Sequence, residues 1–214
     1  CEAVGGTFIN VSLNSHERIN PFDLTISKEE SADDILRSSV IRVHGLVRLM
    51  VGGIDPEEDS LLEKAIYETY ALRDISADAA TQKNEPPLLS DLKAVLKNME
   101  GGEGVANKLE KYTEGTFAGL FNKPTNIDLS RGFVVFSIRD LEEELRPIAM
   151  YLILGYIWNA IRKDLRRRIM IIDEAWWMMQ YEDSAKFLYA LAKRARKYYL
   201  GLTIISQDVE DFLT

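Results

Sequence analysis

Hydrophobic residues recur along the chain with two different periods, and the change of period marks out its elements. Between residues 6 and 13, Phe8, Asn10 and Ser12 alternate with Thr7, Ile9, Val11 and Leu13, the two-residue period of a β-strand. The Asn20-Pro21-Phe22 run then predicts a turn. Over residues 33–50 the period lengthens: Ile35, Leu36, Ser39, Val40, Val43, Leu46, Val47 and Met50 fall on one helical stripe, closed by Gly52-Gly53. Asp55 is placed to cap a following helix with Pro56 in its first turn, and that helix carries Leu61, Leu62, Ala65, Ile66, Thr69 and Tyr70. A further helix opens at Ser90 with Leu92, Val95, Leu96 and Met99, ahead of Gly101-Gly102. Residues 27–122 are therefore expected to be mainly helical.

From Arg131 the pattern changes again. Phe133-Val134-Val135-Phe136-Ser137-Ile138 is a short β-rich run, Pro147 opens a helix to about Asp164, and Ile169-Met170-Ile171-Ile172 is a second run. A helix from about Asp183 to Tyr199 leads through Gly201 into Leu202-Thr203-Ile204-Ile205. The order β-α-β-α-β, with strands apolar on both faces, predicts an α/β fold: a parallel sheet covered by helices on both sides. In such a sheet the C-terminal strand ends line one edge, where ligands bind.

Composition narrows the class. With 46% hydrophobic and 28% charged residues the chain can bury a core, which excludes disorder. A net charge of −8 and a pI near 5.0 exclude a fold that coats nucleic acid with its whole surface, while leaving room for a local basic patch. The single cysteine, Cys1, cannot form an internal disulfide and suits a reducing compartment, so a cytoplasmic location is expected. The most apolar stretch, residues 148–158, is too short to cross a bilayer and reads as a buried helix. There is no initiator Met or signal-peptide pattern, and the opening Cys-Glu-Ala-Val-Gly-Gly reads as the tail of a helix entering a strand; the chain is expected to be a fragment.

The candidate chemistry lies at the end of the second β-run. Arg168-Ile169-Met170-Ile171-Ile172-Asp173-Glu174 delivers two carboxylates from a buried strand, the Walker B arrangement. Nucleotide hydrolysis needs a magnesium ion on the outer phosphates, which Asp173 can hold directly or through water. Glu174, one residue further on, can orient or deprotonate the attacking water. The alternative is a pair of acidic residues that simply cap the next helix. Gln207 favours the first reading, because a side-chain amide just past the next strand can contact both the γ-phosphate and the water.

Other candidates leave two readings open. In Lys193-Arg194-Ala195-Arg196-Lys197, Arg196, or Arg194 in its place, can serve as an arginine finger in a neighbouring subunit's nucleotide site, or these cations can merely offset a helix macrodipole. Arg162, Lys163, Arg166, Arg167 and Arg168 form a basic stretch open to nucleic acid or acidic lipid, with a solvated helix end as the plainer account. Trp176 and Trp177 can shape the site or a subunit contact, with packing as the plainer account, and His16 and His44 lack metal-ligand spacing. No Gly-x-x-x-x-Gly-Lys-Ser/Thr sequence occurs; neither Gly101-Gly102-Glu103-Gly104 nor Gly115-Thr116 has the lysine, so a phosphate-binding loop is expected upstream of residue 1.

Taken together, Gly5-Gly6-Thr7 through Asn20-Pro21-Phe22-Asp23, the Asp173-Glu174-Ala175-Trp176 run, and Arg196-Lys197-Tyr198 through Gly201-Leu202 to Ser206-Gln207-Asp208-Val209 resemble the VirB-four class of conjugation and type IV secretion ATPases, most sharply from Arg168 to Leu213. The resemblance implies a RecA-like P-loop NTPase sheet flanked by helices, formed by residues 1–26 and 123–214, with residues 27–122 as an inserted all-helical subdomain. It further implies ATP hydrolysis with Mg2+, using Asp173 and Glu174 as the Walker B pair, Gln207 as sensor and Arg196 acting in trans. The implied setting is a hexamer at the cytoplasmic face of the bacterial inner membrane, peripherally attached, beside a secretion channel and its coupling ATPase, working on pilus assembly and transfer of DNA or protein. Two other readings of the same residues are a double-stranded DNA translocase of the FtsK and HerA group and a non-hydrolysing assembly module.

Overall fold

In a computed structural model describing residues 1, 3, 5–26 and 30–207, the chain divides into two units, residues 1–141 and 142–214. The first unit holds strands β1 (Thr7–Asn10) and β2 (Val134–Ser137) and helices α1 (Ala32–Val51), α2 (Pro56–Ala71), α3 (Leu89–Lys97), α4 (Glu103–Lys108), α5 (Glu110–Thr113) and α6 (Ala118–Phe121). The second holds α7 (Arg146–Lys163), β3 (Arg168–Ile172), α8 (Trp176–Met179), α9 (Glu182–Ala195) and β4 (Leu200–Ile204). No described helix is long and apolar enough to cross a membrane.

At Gly52, Asp55 and Pro56 the helix boundaries of the first unit follow the predicted signals, while α1 and α3 each begin one residue before the predicted Asp33 and Ser90. Ser31 caps α1 by accepting the Asp34 N–H, and Gly52, left-handed at φ 75°, ends it with its N–H on the Arg48 carbonyl. Asp55 and Glu58 form a reciprocal capping box on α2, with Pro56 in the first turn. The apolar stripes meet in a core that includes Val43, Val47, Leu62, Ile66, Leu89, Leu92, Leu96, Leu109 and Phe121, all fully buried. Lys93 lies in this core, its ammonium paired to Glu110 and Glu114 at 3.4 and 3.0 Å.

The Asn20-Pro21-Phe22-Asp23 run is the tie between the loop after β1 and the helices. Asn20 donates its side-chain N–H to the Pro87 carbonyl (3.0 Å) and its backbone N–H to Thr125 Oγ1 (2.7 Å), while its own Oδ1 accepts the Phe22 N–H (3.0 Å). Phe22 is fully buried edge-on against Tyr70 of α2, whose hydroxyl donates to the Phe22 carbonyl at 3.0 Å. Burial raises the Tyr70 hydroxyl pKa. Arg42 of α1 donates to the Asp23 carbonyl at 2.8 Å. Burial also raises the Asp23 carboxyl, and neither a hydrogen bond from Thr125 nor the nearby Arg42 charge cancels that rise.

Two expectations change. β1 is shorter than the predicted residues 6–13, because Ser12 and Ser15 close a turn on each other beyond Asn10. The strands also form two separate parallel pairs, β1 with β2 (Thr7↔Val134 to Asn10↔Ser137) and β3 with β4 (Arg168↔Leu200 to Ile172↔Ile204). Nor is each pair covered on both faces: β3 buries Met170 and Ile172 but leaves Ile169 and Ile171 at 79% and 64% exposure. The apolar alternation reports what a face is able to bury, and the described residues supply cover for one side. Residues 148–158 do form a buried helix, as most of α7.

Two substitutions test the tie. Asn20→Ala leaves the Pro87 carbonyl and Phe22 N–H without their partner and should cost about 2–3 kcal/mol in chemical denaturation. Because the folded state holds Asp23 protonated to a higher pH than the unfolded chain does, its ionisation lowers stability as pH rises through that window. Asp23→Asn should therefore raise the melting temperature at pH 7, with the gain vanishing as pH falls below the ordinary carboxylate range.

Candidate functional site

The parallel register of β3 and β4 sets Ile172 beside Ile204, so both strands finish at the same edge. The lacing continues past the strands: Ile205 donates to the Ile172 carbonyl (2.9 Å) and Ala175 to the Ile205 carbonyl (3.0 Å). Between these anchors the chain turns sharply. Glu174 takes the left-handed conformation at φ 52°, unusual for a residue with a side chain. Its N–H is held by Asp173 Oδ1 at 3.0 Å, and Ala175 is fully buried beneath it.

This turn brings Glu174 and Gln207 together. Gln207 Nε2 donates to Glu174 Oε1 at 2.8 Å across the two strand ends. The second carboxylate oxygen, Oε2, accepts the indole N–H of Trp176. Trp176 stacks on Trp177, with ring centres 4.0 Å apart and planes 27° from parallel, and the Arg146 guanidinium lies 5.4 Å from the Trp177 ring centre. The Gln207 bond, then the Trp176 bond, hold the Glu174 carboxyl below its ordinary pKa, and the opposing effect of desolvation does not reverse this. The group is a carboxylate acceptor at neutral pH, as a base requires.

Asp173 is exposed at the same edge, with its Oδ2 unpartnered among the described residues. A magnesium ion that keeps most of its waters and takes phosphate oxygens needs only one or two protein carboxylates, so Asp173 fits such an ion. Among the described residues no cluster of three or more histidine, cysteine or acidic side chains is placed to hold a metal by itself.

Arg196 lies elsewhere. It follows α9 in a single 3-10 turn, Arg196–Tyr198, which Tyr198 pins edge-on against Trp158 with ring centres 4.9 Å apart. Tyr199, left-handed at φ 54°, then turns the chain into β4. Arg196 thus precedes β4 and Gln207 follows it, so the five residues of the strand, about 17 Å, separate them. Arg194 and Arg196 are both exposed. In the basic stretch, Arg166 and Arg168 both pair with Asp164, the behaviour of a solvated helix end. Gly102 is a packed turn residue: a Cβ there would stand 2.1 Å from the Leu96 carbonyl oxygen. Asp208, Val209 and Leu213 lie outside the described residues, as do Glu2 and Val4 of the opening run.

Trp176 joins the site itself, the less favoured of the two readings that its place in the sequence allows. The signal was its position, two residues beyond the glutamate in a tight turn, where an indole N–H can reach back to the carboxylate.

A mixed α/β chain with short parallel strands and two carboxylates at a strand end has the features of a P-loop domain, a class whose members bind nucleotides. The family described as the TraG P-loop domain matches residues 102–214, over half of the chain, and the chain belongs to it. It is 24% identical to the type IV secretion system protein CagE of Helicobacter pylori, an alignment covering 99% of this chain and 23% of that protein. It is also 24% identical to the type IV secretion system protein virB4 of Bartonella henselae, over 96% of this chain and 29% of that protein. The solved structure of VirB4 of Thermoanaerobacter pseudethanolicus matches all of this chain and 60% of its own with a TM-score of 0.86 at 24% identity, so the fold is shared. The chain spans about a quarter of the length of the two curated relatives.

The Glu174 contacts predict a measurable titration. Followed through its side-chain carboxyl carbon by NMR, Glu174 should titrate below the ordinary glutamate range, and Gln207→Ala should move it up toward that range. An unchanged value in Gln207→Ala would contradict the bond.

Proposed function

We propose that this chain is the nucleotide-hydrolysing part of an ATP-driven motor of a type IV secretion or conjugation system, energising pilus assembly and the transfer of DNA or protein. The observation that carries this reading is the Glu174–Gln207 hydrogen bond across the ends of two adjacent parallel strands, in a chain of the TraG P-loop family. The finer architecture that goes with it is a RecA-like sheet formed by residues 1–26 and 123–214, with residues 27–122 as an inserted helical subdomain.

Asp173 holds Mg2+, directly or through one of its waters. The bound ion supplies charge neutralisation on the outer phosphates of ATP. Glu174 orients the attacking water and accepts its proton. As the water oxygen bonds to the γ-phosphorus, the bond from that phosphorus to the bridging oxygen breaks, and ADP departs with the electron pair. Gln207 exchanges its contact with Glu174 for one with the γ-phosphate and water, and its place directly after β4 passes that exchange to the strand.

Arg196 stands a strand length from Glu174 within one chain, so it serves the nucleotide of a neighbouring copy; this requires assembly, for which a hexamer is the proposed form. Arg194, also exposed, is the alternative donor. The assembly sits at the cytoplasmic face of the inner membrane, peripherally attached, against the secretion channel and its coupling ATPase, with DNA as a contact during transfer.

Two measurements on the protein at its full natural length test this. Glu174→Gln should lower the kcat for ATP about 100- to 10,000-fold while ATP still binds; a native rate would sink the proposal. Arg196→Ala should lower it about 1,000-fold. Mixing the two inactive variants should restore part of the activity, because some interfaces then combine an intact glutamate with an intact arginine. No restoration would place Arg196 outside the neighbouring site.

A further inference from the structure

The two oxygens of Glu174 are held by donors of different character. Gln207 is exposed, lies beyond the end of β4, and reaches Oε1 on a flexible side chain. Trp176 reaches Oε2 from a rigid mount. It is the first residue of α8, between Ala175 and Met178, both fully buried, and the Ala175 N–H is bonded to the Ile205 carbonyl at 3.0 Å. Its ring is stacked on Trp177, which in turn has the Arg146 cation over its face. A half-buried indole N–H needs an acceptor, and the one it takes here is the Glu174 carboxylate. An indole N–H is also a donor only, so it can neither take nor relay a proton.

We propose that Trp176 is a positioning residue for Glu174: its indole N–H fixes Oε2, leaving Oε1 to exchange between the Gln207 amide and the water to be activated. This deepens the hydrolysis reading and rests on it. The left-handed turn at Glu174 explains the need. Such a residue at a strand tip, with an exposed aspartate before it, depends on hydrogen bonds to its carboxylate to set its side-chain torsions. With one oxygen fixed, the carboxylate keeps its direction when Gln207 lets go, so the base is already aimed when the water arrives.

Trp176→Phe keeps the aromatic stack and removes only the N–H. In the full-length protein it should lower kcat for ATP about ten- to hundredfold, the scale of one hydrogen bond to a charged group, with KM for ATP within about twofold of the unmodified value. An unchanged kcat, or a loss confined to KM, overturns the positioning role.

A second measurement does not depend on hydrolysis. In the 214-residue chain, the indole 1H–15N signal that Trp176→Phe removes should exchange slowly with solvent, and Glu174→Ala should make that exchange at least tenfold faster. Equal exchange in the two proteins overturns the anchor even if the motor reading stands. Absence of hydrolysis by the unmodified full-length protein would instead overturn the motor reading, and the indole exchange would still decide the anchor.

Discussion

The site depends on one constraint, the parallel in-register pairing of β3 with β4. That register puts Ile172 against Ile204, and the two further bonds at Ile205 and Ala175 carry it past the strand ends. With the backbone pinned at Ala175, strand and helix are joined by a tight turn, which the chain makes with a left-handed residue at Glu174. A slip of one residue would reverse the faces of β3, exposing Met170 and Ile172, and would carry Gln207 about 3.3 Å from its partner. The same buried residues that stabilise the pair therefore set the distance between Glu174 and Gln207.

The same pairing separates the other functional candidate. β4 lies between Arg196 and Gln207, so the arginine precedes the strand while the glutamine that meets Glu174 follows it. Within the first unit, the Asn20-Pro21-Phe22-Asp23 run plays a structural part instead. Its polar atoms are spent on Pro87, Thr125 and its own turn, and Phe22 seats against Tyr70, so its contacts hold loop to helix.

What could be read from sequence was whatever local physics decides. Asp55, Pro56 and Gly52 act where capping rules place them, and the stripe from Ile35 to Met50 became the buried face of α1. Glu174 and Gln207 meet across the two strand ends. The cover of the strands was less legible, because apolar alternation cannot say whether a described element lies over Ile169 and Ile171. The indole bond was also hidden: adjacent tryptophans after a strand usually pack, and only the backbone conformation at Glu174 turns one of them back on the carboxylate.

The central claim is that Glu174 and Gln207 work as one hydrogen-bonded unit across the strand ends. A kinetic double-mutant cycle tests it most directly, comparing kcat for ATP in Glu174→Gln, Gln207→Ala and the double variant of the full-length protein. The account predicts that the double variant is no slower than the worse single one, since each substitution already disables the unit. Losses that multiply would contradict it, because they would show two residues acting independently.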